Sequence, residues 1–384
     1  MEPRPEQGGV AWRVRGRGSH HNPGNRFEAI SLTVLGEHAD EVISENPDGT
    51  SVKTAVYWDR TRRVLNHVDV PDIGFSWTIN PYRGCEHGCV YCYARPGHEY
   101  LGMSCGLDFE TKIVAKADAG ALLREELLRP AWRGETVVMS GVTDPYQPVE
   151  RALRVTRSVL EVMAEHRQPV GLITKSALIR RDVDVLGELA RHGAATAAVS
   201  LTTLDARLAA TLEPRASAPR ARLEAIAALA AAGVPVRVMT APIIPGVNDR
   251  EIPSLLAAAR DAGATAAGYV LLRLPWQVKE VFTSWLRREL PRSAARVESL
   301  IRQTRGGALY ESGFGVRQRG TGAVAQQIGD VFRVFAQRCG LDVGDVRGPE
   351  PRVSPFVRPA GAAPDRAAGR DAAGGQMRLF DAGA

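Results

Sequence analysis

The stretch Asn80-Pro-Tyr-Arg-Gly-Cys-Glu-His-Gly-Cys-Val-Tyr-Cys-Tyr-Ala94 places Cys85, Cys89 and Cys92 at the spacing C-x3-C-x2-C. Three soft thiolates on one short loop are typical ligands of an iron–sulfur cluster. A glycine precedes each of the first two cysteines, which allows the backbone to curl around a bulky group. A four-iron cluster ordinarily takes four cysteines, so three leave one iron open to an external ligand.

These cysteines allow two other interpretations. A structural zinc site would form if His87 or His98 completed a Cys3His shell. Such sites usually combine one pair of cysteines with a second pair further along, and the sequence has no second pair. Three cysteines buried in a core without any ligand are the remaining alternative. The spacing and its surroundings favour the cluster.

Composition sets the broad class of the protein. The chain has 384 residues and is 44% hydrophobic, which is enough for a large buried core. Outside the loop only Cys105 and Cys339 remain, so there is no disulfide framework, and we expect a reducing cytoplasm. No apolar run is long enough to span a bilayer and no apolar leader is present, so we expect no membrane partner.

The formal net charge is +6. Lysine and arginine neutralise phosphates, so this charge fits a nucleic acid or another polyanionic partner. The excess of arginine over lysine, together with abundant alanine, is also what a GC-rich genome produces. The charge is therefore a weak indication of nucleic-acid binding.

Changes in composition divide the chain into segments. Residues 1–27 carry arginines among glycines and prolines, which predicts a disordered basic arm. Residues 28–72 contain short β-like runs and predict a small β appendage, and residues 73–290 form the core. Residues 291–345 predict a helical C-terminal extension, and residues 346–384, rich in proline, glycine, alanine and arginine, predict a disordered tail.

The core alternates short apolar runs with segments of helical periodicity. The predicted strands cover residues 75–80, 136–140, 170–174, 197–202, 234–240 and 267–272. Continuous apolar strands alternating with helices indicate an α/β fold with a parallel sheet. Because the crossovers are right-handed, the carboxyl ends of all strands lie on one rim, where such folds hold their chemistry. The cysteine loop follows the first strand and is predicted to lie on that rim.

The cysteine spacing, with Tyr91 before the last cysteine, resembles the radical S-adenosylmethionine (radical SAM) superfamily. The resemblance implies a partial (β/α)6 barrel and a [4Fe-4S] cluster held by Cys85, Cys89 and Cys92, with SAM chelating the unique iron. It further implies reductive cleavage of SAM to a 5′-deoxyadenosyl radical. The electron would come from a flavodoxin or ferredoxin-type reductant.

The resemblance also suggests contacts for SAM at the strand ends. Ser140 and Gly141 follow the second strand and look like the segment that supplies backbone groups to the SAM amine. Asp144 is expected to contact SAM or substrate, or else to begin the next helix as part of an Asp-Pro turn. Lys175 follows the third strand and is expected to pair with the SAM carboxylate or a substrate phosphate, the alternative being a solvated lysine.

Later strand ends add further candidates. Ser200 ends the fourth strand and is expected to hydrogen-bond the ribose or carboxylate of SAM. The segment after the fifth strand resembles the adenine-contacting segment of the superfamily, with the apolar side chain of Ile244 offered to the ring. Arg273 and Trp276 end the sixth strand, and an aromatic beside an arginine suits stacking on a base, although Trp276 equally suits packing.

The wider pattern resembles the group related to spore photoproduct lyase, often labelled DNA repair photolyases. The matching segments are residues 83–89, 94–96, 143–148, 174–176, 212–215 and 244–249. The resemblance implies hydrogen abstraction from a thymine dimer, cleavage of the dimer, and return of the hydrogen by a cysteine. No cysteine lies between the second and third strands, where that thiol is expected. Cys105 is a candidate hydrogen donor, the alternative being a small buried residue.

The tail contains the peptide Gln376-Met-Arg-Leu-Phe380. It resembles the Gln-x-x-Leu-Phe peptides with which bacterial polymerases and repair proteins dock on the sliding clamp. Such peptides act from disordered tails, because their apolar side chains enter a pocket while the glutamine fixes the register. The sequence thus predicts a sliding clamp as a partner.

Together these features predict a radical SAM enzyme of a lyase-like, DNA-repair type that abstracts hydrogen from a nucleic-acid substrate. The same chemistry on a peptide, a tRNA or a small molecule remains an alternative. A second alternative is a non-catalytic DNA- or clamp-associated protein in which a cluster or zinc is only structural.

Overall fold

The computed structural model describes residues 14–27, 52–344 and 353–358. In chain order the strands are β1 (Ala55–Trp58), β2 (Leu65–His67), β3 (Trp77–Ile79), β4 (Tyr82–Arg83), β5 (Lys112–Ala115), β6 (Val137–Met139), β7 (Val170–Thr174), β8 (Ala195–Ser200), β9 (Val236–Ile243) and β10 (Ala266–Leu271). The α-helices cover Leu107–Thr111, Ala119–Leu128, Glu150–Leu153, Val155–Glu165, Val183–Arg191, Ala206–Leu212, Pro219–Ala231, Ile252–Asp261, Val278–Glu289, Ala294–Gln303, Val316–Arg319 and Gly322–Arg338. Short 3-10 helices cover Arg95–Leu101, Ala177–Asp182 and Asp249–Glu251.

A 7-stranded sheet forms the centre of the fold, in the order β10-β9-β8-β7-β6-β3-β2. Neighbours from β3 to β10 pair in parallel, and β2 pairs antiparallel with β3. Strands β10 and β2 lie at opposite ends of the strand order, so the sheet is an open barrel rather than a closed one. The six predicted β/α units and the α/β fold class are confirmed.

Apolar side chains explain why these strands sit between helices. Leu172 on β7, Val199 on β8 and Val238 on β9 are buried in one core cluster with Leu160 and Leu229 from the flanking helices. Each fully buried side chain of this kind contributes roughly 1.5–3 kcal/mol relative to an exposed one. This packing holds the strands between their helices, and because the strands are parallel their carboxyl ends form one rim.

The N-terminal segment differs from the sequence prediction. Val14–Phe27 was predicted to be part of a disordered arm, but the side chains of Arg17 and Ser19 are only 4% and 1% exposed. Their hydrogen bonds to buried acceptors stabilise the segment, whereas composition reports only its small apolar content. Residues 1–13 lie outside the described part of the chain.

The predicted β appendage is also different where it is described. Strand β2 joins the main sheet as its edge, while β1 pairs with β5 in a separate 3-stranded sheet of order β1-β5-β4. Residues 28–51 lie outside the described residues. Short β-like runs do not reveal their partners, because pairing is set by residues far away in sequence.

The C-terminal extension packs against the last strand. Tyr269 on β10 contacts Phe332 of helix Gly322–Arg338, with ring centroids 4.7 Å apart. Residues 353–358 contact the segments that precede β6 and β7, where Ser354 donates to the Gly134 carbonyl and Phe356 stacks on His166. The helical extension is thus confirmed, and the predicted clamp peptide Gln376–Phe380 lies outside the described residues.

Across the described ranges of the chain, every helix is too short or too polar to cross a lipid bilayer.

Candidate active site

A cavity of about 760 Å³ opens at the carboxyl rim of the sheet. All three cysteines of the predicted cluster line it. The cavity is also lined by predicted site residues from three different strand ends, namely Ser140, Gly141, Asp144, Lys175 and Ser200. Tertiary structure thus brings together residues that are more than a hundred positions apart in the sequence.

The cysteine loop, residues 85–92, is shaped by turns between β4 and the 3-10 helix Arg95–Leu101. Gly84 and Gly88 have φ values of +76° and +67°, which residues with a side chain rarely adopt. A Cβ on Gly88 would lie 2.6 Å from the Glu110 carboxylate, so a side chain there would displace that group. The glycines predicted to let the backbone curl are therefore required for that curvature.

The thiols fit an iron–sulfur cluster by their chemistry. All five cysteines of the chain are unpaired. Burial, the Asp144 carboxylate and the neighbouring thiols raise the pKa of Cys85 well above its ordinary value. Burial and the nearby Glu213 carboxylate likewise raise the pKa of Cys89. Bound iron would relieve this repulsion, because a coordinated thiol is deprotonated by the positive metal.

The described residues contain no preformed zinc site. No three Cys, His, Asp or Glu side chains there converge on the geometry of a single metal ion. His87 instead contacts Asp144, with Nδ1 and Oδ2 3.3 Å apart, and His98 packs edge-on against the Phe109 ring. A cluster does not need one point of convergence, because each cysteine binds its own iron.

Ser140 and Gly141 form a strained corner directly after β6. Ser140 has a φ of 108°, in a region that few residues other than glycine adopt. Asn80 fixes the corner, because its Oδ1 accepts hydrogen bonds from the backbone nitrogens of Gly141 (2.9 Å) and Val142 (3.1 Å). The Tyr93 hydroxyl donates to the Gly141 carbonyl at 3.0 Å. The role of Asn80 was not predicted, although Asn80 ends the predicted first strand.

Asp144 joins three parts of the rim. Its carboxylate accepts hydrogen bonds from Thr174 Oγ1 at 2.7 Å and from the Lys175 nitrogen at 2.8 Å, and it contacts His87. Burial alone would raise the pKa of Asp144, but His87 and these hydrogen bonds outweigh burial and hold the pKa at about 2. Asp144 is therefore ionised and occupied by protein partners, which gives it a structural role beside its place in the cavity lining.

Lys175 supplies a positive charge to the cavity. Its ammonium lies 5.8 Å from the centroid of the Tyr91 ring. Burial alone would lower the pKa of Lys175, but its interactions with the Cys89 sulfur and with the Glu213 carboxylate outweigh burial and raise it. The lysine is thus charged at neutral pH and lines the cavity. The alternative interpretation had expected a lysine solvated at the surface.

Glu213 is a buried carboxylate that sequence analysis did not single out. It accepts hydrogen bonds from the Tyr91 hydroxyl, from Arg222 and, at 2.6 Å, from Thr202 Oγ1. Burial alone would raise the pKa of Glu213, yet Arg222 and Lys175 hold it at about 2. This network fixes Tyr91 between the second and third cysteines. Glu213 lies in segment 212–215, which contributes to the family resemblance, but its role as a buried carboxylate was not predicted.

Two predicted site residues do not reach the cavity. Ile244 is fully buried in a core cluster with Cys89, Val90 and Leu212, and its nitrogen bonds to Asn248 Oδ1 at 2.6 Å. The preceding residues Ala241 and Pro242 line the cavity in its place. Cys105 is also fully buried away from the cavity, and burial raises its pKa to about 12. Among the described residues, the cysteines that line the cavity are therefore the three of the cluster loop.

Four arginines also line the cavity. They are Arg237, Arg273, Arg319 and Arg333. Arg273 lies over the Tyr93 ring at 5.2 Å from its centroid, and its buried Nε has no hydrogen-bond partner among the described residues. Trp276, the predicted stacking partner, is half exposed and lies instead against Arg26, 4.2 Å from the guanidinium. Arg319 donates to the Tyr269 carbonyl and Arg333 pairs with Asp330, so Arg273 is the lining arginine best placed to bind an anionic ligand.

Comparison with solved structures identifies the same fold in spore photoproduct lyase. A mutant of that enzyme superposes with a TM-score of 0.56 at 16% identity, covering 83% of this chain and 87% of the other. Spore photoproduct lyase complexed with dinucleoside spore photoproduct gives a TM-score of 0.52 at 15% identity, covering 83% and 86%. At this identity the likeness concerns the fold.

Sequence comparisons identify the family. An uncharacterized protein of Mycobacterium tuberculosis is 37% identical over 258 residues, which are 67% of this chain and 75% of that protein. An uncharacterized protein of Methanocaldococcus jannaschii is 25% identical over 192 residues, 50% of this chain and 69% of that protein. The radical SAM superfamily, whose members use a [4Fe-4S] cluster, SAM and a reductant, matches residues 79–259. With its cysteine loop on the rim of an open parallel barrel, the chain belongs to the radical SAM superfamily.

Proposed function

We propose that this protein is a radical SAM enzyme that abstracts hydrogen from a nucleic-acid substrate bound in the cavity at the carboxyl rim. When bound, the reduced [4Fe-4S] cluster supplies the electron that cleaves SAM to methionine and a 5′-deoxyadenosyl radical. One observation carries the proposal: three unpaired cysteines, a charged lysine and four arginines line a single cavity.

Different lining residues are proposed to bind the cluster and SAM. Cys85, Cys89 and Cys92 would hold the cluster, and the strained corner at Ser140 would present backbone groups to the SAM amine. Lys175 would pair with the SAM carboxylate, because its ammonium is charged and lies at the same end of the cavity as Cys89. Ser200 would hydrogen-bond the ribose or carboxylate. A flavodoxin or ferredoxin-type reductant in the cytoplasm would supply the electron.

The lining arginines support a nucleic acid rather than a neutral small molecule. Guanidinium groups bind phosphate oxygens in a bidentate manner, and Arg273 has an Nε without a partner among the described residues. The spore photoproduct lyase structure with a dinucleoside lesion shows that this fold accepts such a ligand in that protein. We therefore propose a damaged or modified nucleic acid as the substrate class.

The radical assignment is tested by product analysis. The protein is reconstituted anaerobically with iron and sulfide, given SAM and dithionite, and assayed for 5′-deoxyadenosine. We expect product from the wild type and from Cys339→Ala, which changes a cysteine outside the cavity. Cys89→Ala should form none. A wild type that holds an intact cluster but yields no 5′-deoxyadenosine would instead support the structural-cluster alternative.

The substrate class is tested by binding at several salt concentrations. Affinity for single- and double-stranded DNA and RNA should fall as salt rises, because phosphate contacts release counterions. Arg273→Gln should weaken binding and reduce the salt slope by about one ion. Arg220→Gln is the matched control, since Arg220 is 92% exposed and pairs with Glu224 on an outer helix. Affinity that does not depend on salt would favour a small-molecule or peptide substrate.

We also propose that the peptide Gln376–Phe380 docks on a bacterial sliding clamp. Phe380→Ala should abolish binding of the full chain to a purified clamp, because the apolar side chain fills the receiving pocket. Arg378→Ala, at a variable position of the motif, is the control. Equal binding by the two variants would exclude this docking mode.

A further inference from the structure

Residues Val14–Phe27 form a strap that runs across the outer side of the cysteine loop. We propose that this N-terminal strap is part of the cofactor site: it holds the cysteine loop in the shape that cluster binding needs, and so slows cluster loss. The inference rests on the cluster-binding part of the proposed function. It assigns a positioning role to residues that lie outside the matched family region at 79–259.

The first contact of the strap is with Glu110. The carboxylate of Glu110 is fully buried and accepts hydrogen bonds from the Gly18 nitrogen at 2.9 Å and the Ser19 nitrogen at 2.8 Å. Arg17 adds a bond from its guanidinium to the Glu110 carbonyl at 2.7 Å and to Thr54 Oγ1 at 3.0 Å. A buried carboxylate needs such donors, because leaving it unsatisfied is costly.

Glu110 in turn positions Arg95, which contacts the cluster loop directly. Arg95 is fully buried, and its guanidinium donates to Glu110 Oε1 at 2.5 Å and to the Cys89 carbonyl at 2.9 Å. It also donates to the Cys105 and Gly106 carbonyls at 3.1 and 2.9 Å. Hydrogen bonds therefore run without interruption from the strap through Glu110 and Arg95 to the backbone of a cluster cysteine.

Steric fit between two glycines makes a second, independent contact. A Cβ on Gly18 would lie 1.8 Å from the Gly88 carbonyl oxygen and 2.9 Å from Val90 Cγ1. Real Cβ atoms do not approach backbone oxygen so closely, so only glycine allows the strap to lie on this part of the loop. Gly88 immediately precedes Cys89. Any shift of the strap at Gly18 therefore displaces backbone next to a cluster ligand.

The rest of the strap spans the open side of the barrel. Arg26 pairs with Glu99 of the 3-10 helix after the cysteine loop, with Nε and Oε2 2.6 Å apart. The same guanidinium lies over Trp276, which follows β10. Gln277 Nε2 donates to the Gly24 carbonyl at 3.3 Å. Because β3 and β10 are the first and last parallel strands, the strap links the segments that follow the two ends of the parallel sheet.

These contacts resemble the outer shell of a metal site, in which residues that touch no metal orient those that do. Loss of such partners typically lowers metal affinity roughly tenfold or more. The strap thus has a measurable consequence for cluster retention that does not depend on any substrate.

The test compares two glycine variants of the full chain. Gly18→Ala places a methyl group against Gly88, whereas Gly24→Ala meets nothing within 4 Å and is the matched control. After anaerobic reconstitution, both are measured for iron per chain and for the rate at which the visible absorbance of the cluster decays in the presence of a chelator. We expect Gly18→Ala to lose its cluster roughly tenfold faster than wild type and Gly24→Ala.

A second measurement keeps the two proposals separate. Amide hydrogen exchange of residues 85–92 in the metal-free chain should be faster in Gly18→Ala than in Gly24→Ala. If wild type binds no cluster, the proposed function fails while this exchange still tests the strap. Equal exchange and equal cluster decay in the two variants would overturn the inference. Should Gly18→Ala not fold, judged by circular dichroism, Arg17→Gln is measured in the same two ways with the same expected result.

Discussion

His87 Nδ1 lies 3.3 Å from Asp144 Oδ2, and this contact ties the cysteine loop to the segment after β6. The same carboxylate holds the end of β7 through Thr174 and Lys175. The Asp144 carboxylate therefore links three neighbouring strand ends, and the geometry of the cavity depends on it.

Asp144→Asn should destabilise the protein. The variant loses the charge beside His87, and its amide NH2 faces donors at Thr174 or Lys175. We expect the unfolding free energy of the metal-free chain at pH 7 to fall by about 2–4 kcal/mol, measured by urea denaturation. Asp184→Asn is the control, because Asp184 is 64% exposed in its pair with Arg157 and should change stability by less than about 1 kcal/mol. Equal effects of the two changes would contradict the assigned role.

Glu213→Gln removes the buried charge between Tyr91 and Arg222. Arg222 is 1% exposed and would be left without its counterion, so we expect a loss of about 3–5 kcal/mol in unfolding free energy. Thermal unfolding of the metal-free chain measures the loss. Glu224→Gln changes a carboxylate that is 48% exposed and paired with Arg180, and should have little effect. A Glu213→Gln chain as stable as wild type would show that the network is unimportant.

Lys175→Met removes the positive charge next to Cys89 while keeping much of the side-chain volume. We expect SAM to bind the reconstituted protein roughly tenfold more weakly, which corresponds to about 1.4 kcal/mol for one charge-assisted hydrogen bond. Equilibrium dialysis with labelled SAM measures this change. Lys279→Met, at an exposed position, should bind SAM like wild type. An unchanged affinity of Lys175→Met for SAM would contradict this role and favour pairing of Lys175 with a substrate phosphate.

His98 should make stability depend on pH. Burial lowers the pKa of His98 in the folded protein to about 4, below the ordinary value of 6.5. The unfolded chain therefore binds a proton between pH 6.5 and 4 that the folded chain does not, so the unfolding free energy decreases as pH falls through this interval. The decrease contributed by His98 is up to about 3 kcal/mol.

His98→Gln isolates that contribution. Glutamine cannot take up the proton, so the variant should lose less stability than wild type between pH 7 and 4 in urea denaturation. His192→Gln, at a partly exposed histidine, is measured as the control for replacing a histidine with glutamine. Parallel curves for wild type and His98→Gln would refute the expectation.

Much of the fold was predictable because its signals are local. Strand β7 has the predicted bounds, residues 170–174, and β10 (Ala266–Leu271) differs by one residue from the predicted 267–272, since apolar runs are encoded within each segment. The position of Ser140, Lys175 and Ser200 at the cavity could also be predicted, because the topology of parallel strands brings their carboxyl ends to one rim.

Other features were not predictable because they depend on distant contacts. Ile244 was expected at the adenine ring, but the hydrogen bond to Asn248 and packing near Cys89 turn it into the core. Nothing in the sequence near Glu110 indicates that Gly18 and Ser19, which lie 92 and 91 positions earlier, donate hydrogen bonds to its carboxylate. Composition describes the strap as an arginine- and glycine-rich segment, and its partners lie elsewhere in the chain.

The sequence by itself determined the cysteine loop, the order of strands and helices and hence the radical SAM family, because spacing and periodicity are properties of neighbouring residues. Only the tertiary structure decided which groups surround the loop: Asp144 and His87 inside the rim, and Arg95, Glu110 and Gly18 outside it. Burial converts these pairings into stability and fixed geometry, because a charge removed from water needs partners, and those partners lie on distant parts of the chain.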